Sequence, residues 1–79
     1  PLRAARRAME AAEREVHAAE ERIASLEQAL ADERLYDGSA ESSREAGLLT
    51  VSLKEARAAL EESMSRWAAA VEAVEALES

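Results

Sequence analysis

Apolar residues recur at Leu2, Met9, Val16, Ile23 and Leu30, seven apart each time. Three positions after each come Ala5, Ala12, Ala19, Leu26 and Glu33. This is an a/d heptad pattern with bulk at a and mostly alanine at d. It predicts one helix over residues 3–35, roughly 50 Å long at 1.5 Å per residue. Alanine along one face lets a neighbour approach closely. Pairs such as Glu10–Arg14 have the favourable i,i+4 order for a solvated face.

The rhythm stops at Glu33, and Leu35 and Tyr36 are apolar but out of phase with the seam. Asp37-Gly38 is a turn signal, because glycine accepts positive φ and aspartate can bond its own backbone. Ser39, Ser42, Ser43 and Gly47 follow. Residues 36–51 therefore read as a tip that caps the hairpin with its own apolar residues. A short helical turn fits between Ala40 and Ala46. Ser52 with Glu55 matches a capping box, with Val51 as the staple before it. That places a second helix at 52–78. Its apolar positions are Leu53, Ala56, Leu60, Met64, Trp67, Val71 and Val74, three or four apart.

Two helices of this length joined by one turn region are expected to fold back antiparallel. The fold expected is all-α: a two-helix antiparallel coiled-coil hairpin with a structured tip loop, one domain over residues 1–79. If facing positions have numbers summing to about 87, Ile23 faces Met64, Val16 faces Val71, and Trp67 covers Ala19. The expected core is Ile23, Leu26, Leu30, Leu60, Met64, Trp67 and Val71. A parallel homodimer on the first seam is the competing arrangement, and alanine at d weakens it.

Composition sharpens this picture. Glycine and proline total three residues, and alanine, glutamate, arginine and leucine, all good helix formers, dominate. There is no cysteine, so neither a disulfide nor a thiolate site exists, and the cytoplasm is the expected compartment. No apolar run approaches the roughly 20 residues of a membrane span, so no membrane partner is expected. The chain opens at Pro1 without methionine, and we expect a C-terminal piece of a larger protein.

Net charge is −7, unevenly placed. Residues 1–14 carry Arg3, Arg6, Arg7 and Arg14 against Glu10 and Glu13, a net +2, and the rest carries −9. Arginine forks suit phosphates, so these four are the candidate nucleic-acid contacts, with ordinary helix-surface charge as the plainer reading. Tyr36 and Leu35 are the candidate tip or partner contacts. Tyr36 is expected to pack on the tip with its hydroxyl in water. His17 is the single histidine and flanks the seam, without a second partner for base chemistry. A metal needs three or four converging ligands, and no phosphate-binding loop is present. The chain reads as non-enzymatic, without a metal or cofactor of its own, and as a monomer or weak dimer.

The segment IASLEQALADERLY, then a loop, then LKEARAALEESMSRWAAAVEAVEAL, resembles the C-terminal coiled-coil domain of bacterial ABC-F ATPases, in the Uup-type branch. The matching residues are Ile23, Leu26, Glu27 and Leu30, then Ala31, Asp32, Leu35 and Tyr36 of an ADxxLY motif. Leu53, Leu60 and Glu61 follow on the return helix, with Arg66 and Trp67 as its RW signature. The resemblance covers about residues 15–78. Met64 stands where that family often has tyrosine, and residues 68–71 are less acidic than is usual there. The resemblance implies an accessory hairpin of an ATP-driven cytoplasmic protein linked to ribosomes and translation. The parent's ATPase domains would hold ATP and magnesium. It implies contact with branched DNA or ribosomal RNA, with the ribosome, or with the parent's own ATPase domains. Two further readings stand beside it. One is a structural or protein–protein interaction hairpin that binds no nucleic acid. The other is an unrelated hairpin, such as a synthetase arm or a piece of a longer coiled coil.

Overall fold

A computed structural model describes all 79 residues as two helices joined by a nine-residue connection. Helix α1 runs Leu2–Leu30, and helix α2 runs Ala40–Glu78. Between them lies a single 3-10 turn, Glu33–Tyr36. The molecule measures 59 × 14 × 14 Å. Its long axis is that of α2, because 39 residues at 1.5 Å rise span about the same length. The helices are antiparallel. Arg6 near the start of α1 meets Glu78 at the end of α2, and Glu27 near the end of α1 meets Arg57.

Every a and d position of the α1 seam from Leu2 to Leu30 is buried or half-buried, with Ala12 and Leu26 the most enclosed. The seam of α2 is longer than expected. Steps of seven back from Leu77 pass through Ala70, Ser63, Ala56 and Leu49 to Ser42. Steps of seven back from Val74 pass through Trp67, Leu60 and Leu53 to Ala46. Leu26, Leu53 and Ala56 form the buried cluster, with Ile23, Leu30 and Leu49 packed on it. Only seven residues are buried, and no side chain is fully enclosed, as expected for a two-helix core.

The boundaries and register differ from the expectation. Helix 1 ends at Leu30, five residues before Leu35, and α2 begins at Ala40, not Ser52. The expected tip over 36–51 is therefore mostly the first three turns of α2. Leu48 and Val51 lie exposed on its outer face. Ser52 and Glu55 sit inside the helix, so the expected capping box does not form. The true cap is Ser39, whose Oγ accepts from the Ser42 N–H at 3.1 Å. The cross-helix ion pairs join residues whose numbers add to 84, 84 and 81. That is about one helical turn away from the expected register. The cause is Met64. Met64 is 52% exposed, while Ser63 beside it is 4% exposed and occupies the seam. A small residue there allows closer helix approach than a methionine, and the seam follows the heptad rather than the larger apolar side chain. Trp67 keeps a seam position but stays 40% exposed, and Val71 is half-buried on the flank.

The connection is short because it is wired. After Ala31 the backbone turns extended at Asp32 (φ −70°, ψ 119°), which ends α1. Asp32 Oδ1 accepts from the Arg34 N–H at 2.9 Å, and its two oxygens take the Arg34 guanidinium at 3.1 and 2.7 Å. Leu35 is buried. The Tyr36 hydroxyl donates to the Leu30 carbonyl at 2.6 Å, so it ties off the end of α1 instead of facing water. Asp37 Oδ1 accepts from the Ser39 N–H at 2.9 Å, and Gly38 adopts φ 85°.

The two glycines make opposite demands. Gly47 lies inside α2, and a Cβ there would meet nothing within 4 Å. Gly47→Ala is expected to stabilise the fold by about 0.5–1 kcal/mol. Gly38→Ala also has space, yet its positive φ opposes a side chain, with an expected cost of about 1–2 kcal/mol. Urea unfolding of both variants measures these opposite signs.

Candidate functional site

The surface offers three regions in which side chains converge. The first is the open end of the hairpin, where Leu2, Arg3, Arg6, Arg7 and Glu10 surround one shallow depression. The heptad places Arg3, Arg7 and Arg14 on the outward side of α1, away from the seam. None of these three is ion-paired. Arg6 is different, because its Nη2 donates to Glu78 at 3.2 Å and its charge is shared with α2. The structure thus gathers Arg3, Arg6 and Arg7 and sets Arg14 about two turns from Arg7 along the helix.

The second region is the tip. Leu35, expected at a contact surface, is buried and therefore structural. Tyr36 is 61% exposed, and its ring is available while its hydroxyl is committed to Leu30. The Arg34 guanidinium and the Arg34 N–H, both bonded to Asp32, pull that carboxyl down from 3.8 to about 2. Asp37 is also lowered, chiefly by the Ser39 N–H it accepts.

The third region lies along one flank, where Glu13, Val16, His17, Met64 and Trp67 line a groove of about 210 Å³. That volume is below the range of small-molecule pockets and suits a side chain. His17 Nε2 is 3.9 Å from Glu13 Oε1, and its Nδ1 is 3.6 Å from Glu20 Oε1. On the opposite flank, Arg66 Nη2 donates to Glu15 at 2.9 Å and Nη1 donates to Glu62 at 2.8 Å. Alanines 8, 11, 12, 69 and 70 surround that network. Arg66 of the RW pair therefore bridges the two helices on their exposed flank, and Trp67 is the residue that faces a groove. No three histidine or carboxylate side chains converge as a metal site would require. No helix is long and apolar enough to cross a membrane.

Sequence reasoning singled out the arginines and Tyr36 but missed the flank groove. The signal was present. Reading α2 by strict steps of seven puts Met64 and Val71 at the e position, beside the seam, where an apolar residue has no role inside the hairpin.

Fold and surface together define an antiparallel two-helix coiled-coil hairpin, an arm whose chemistry is all on its outside. No family model, curated protein or solved structure matches the chain.

The depressed Asp32 pKa has a direct consequence. A carboxylate whose folded pKa lies below its unfolded value stabilises the fold above about pH 4, and that contribution fades as pH falls through about 2. Carboxyl-detected NMR titration is expected to place the Asp32 midpoint near 2 in the native chain. In Arg34→Ala it is expected to rise part of the way toward 3.8, since the backbone bond from residue 34 persists.

Proposed function

We propose that this chain is the accessory hairpin of an ABC-F-type ATPase and contacts nucleic acid, branched DNA or ribosomal RNA, through its open end. The observation that carries the reading is the trio Arg3, Arg7 and Arg14. These exposed guanidiniums have no carboxylate partner and share the outward side of the first half of α1. Arg6, Arg34, Arg57 and Arg66 are held by carboxylates, and the other unpaired bases, Arg22, Arg44 and Lys54, lie singly along the rest of the rod. The end of α2 beside them carries Glu72, Glu75 and Glu78, so phosphate is met on the outward side of α1, where the three arginines lie, and not on the α2 side. The tip supports the family resemblance, because ADERLY forms a self-bonded turn with Leu35 inside and Tyr36 tied to Leu30. On this reading the arm is non-catalytic and works in the cytoplasm. ATP and magnesium belong to the parent's cassettes, and the ribosome or those cassettes are its neighbours.

A second reading has an observation of its own. The −7 charge and the exposed Trp67–Met64 flank favour a protein-docking arm, as a monomer or weak dimer, without nucleic-acid contact.

Fluorescence anisotropy separates the two. Labelled duplex DNA, a four-way junction and a structured RNA are titrated with the native chain and with Arg3→Gln/Arg7→Gln/Arg14→Gln. Three phosphate contacts give a slope of up to about −2.7 in log K against log salt, with binding lost in the variant. No binding at low salt, with helicity intact by circular dichroism, overturns the nucleic-acid reading and leaves the docking arm.

A further inference from the structure

One flank of the hairpin is built for a third helix. In an antiparallel coiled coil the e positions of the two helices face each other in rungs, and opposite charges there set the alignment. On α1 the e positions are Arg6, Glu13, Glu20 and Glu27. On α2 they are Arg57, Met64, Val71 and Glu78. The two outer rungs are closed ion pairs, Arg6–Glu78 and Glu27–Arg57, both at 3.2 Å. The register they fix sets Glu13 level with Val71 and Glu20 level with Met64. Each inner rung therefore joins a carboxylate to an apolar side chain. Met64 is left open, Val71 is half-buried, and neither carboxylate has an arginine or lysine partner.

The apolar side chains are open. Met64 is 52% exposed and Trp67 40%, and with Val16 they form the greasy part of the groove. Glu13, which lines the groove, and Glu20, one heptad further along the same side of α1, lack an arginine or lysine partner. Their one basic neighbour is His17, at 3.9 Å from Glu13 and 3.6 Å from Glu20. An apolar groove edged by unpaired acid calls for an apolar stripe edged by base.

We propose that this flank is the docking groove for one amphipathic helix of a partner protein, with an apolar seam seated against Trp67, Met64 and Val16 and lysine or arginine reaching Glu13 and Glu20. The inner rungs are one heptad apart, about 10 Å, so a docked helix of about three turns covers both. Charge disfavours a second copy as the occupant, because two-fold pairing of this flank brings Glu13 and Glu20 of both chains together and unites two chains of −7. The groove is separate from the open-end arginines, so the inference stands or falls independently of nucleic-acid contact.

The chain has a single tryptophan, so docking has its own optical signal. The probe is a synthetic 21-residue peptide with leucine at a and d and lysine at e and g, titrated while Trp67 emission is recorded. A saturable blue shift is expected, weakening with salt. Glu13→Gln/Glu20→Gln is expected to weaken binding about 3–10-fold and flatten the salt dependence. Met64→Glu adds a negative charge yet is expected to lose at least about tenfold, because the seat is apolar. Since Met64 is largely outside the core, that variant should stay folded, which circular dichroism checks. A peptide of equal composition with its leucines scattered is expected to bind at least about tenfold more weakly. The triple arginine variant used above is expected to bind the seamed peptide as the native chain does. No saturable shift by about 1 mM peptide overturns the proposal. So does equal binding of the seamed and scattered peptides, or undiminished binding by Met64→Glu. A dimer in sedimentation that Met64→Glu dissolves would assign the groove to a second copy and also overturn it.

Discussion

The close approach of two seams carrying small residues at their centre is the constraint on which the rest depends. Ala12 and Ala56 are among the most buried residues, and Ser63 is the most buried of all. A core of this kind buries little area per residue, so it tolerates few alternative alignments before losing contact altogether. The heptad step then sets which side chains border the seam, and the exposed ion pairs Arg6–Glu78, Glu15–Arg66 and Glu27–Arg57 fall into place on both flanks. Exposed pairs of this sort contribute modestly to stability, but a slipped register would lose all three and bring like charges together.

The tip works on the same constraint from the other end. Nine residues connect Leu30 to Ala40, and they hold one geometry because almost every polar side chain among them bonds locally. Asp32 grips Arg34, Tyr36 closes the last carbonyl region of α1, and Ser39 opens α2. With the connection fixed, α2 extends past the end of α1 and Leu35 fills the space beside it. The open end, with its arginines, is then set at the far end of the rod from Tyr36. The outward side of α1 near the open end carries unpaired arginines, one flank has an apolar groove with Glu13 at its edge, and the other flank is alanine around an ion-pair network.

The hairpin is legible in residue spacing because an apolar period of seven, kept from Leu2 to Leu30, fits a helix seam and little else. The α1 seam matches that period position by position. The α2 seam is harder to read, because apolar size and the period point to different residues. Met64 and Val71 are conspicuous, and Ser63 and Ala70 are not, yet only the latter pair lies in unbroken steps of seven between Ala56 and Leu77. The start of α2 is hidden for a related reason. Ser42, Gly47 and the adjacent Leu48-Leu49 look like a loop, but Ser42 and Ala46 continue the seam, and an exposed helical glycine costs only about 1 kcal/mol. The wiring of Asp32 to Arg34 and of Tyr36 to Leu30 depends on side-chain geometry that no periodicity encodes. The flank groove depends on the register and is lost when the register is misjudged.

Disulfide trapping tests the register most directly. Ala12 and Ala70 border the same depression between the helices. Under mild oxidation, Ala12→Cys/Ala70→Cys is expected to close within one chain and keep its helicity, while Ile23→Cys/Met64→Cys stays largely reduced. Preferential closure of the Ile23–Met64 pair, or bonds formed only between chains, would contradict the account.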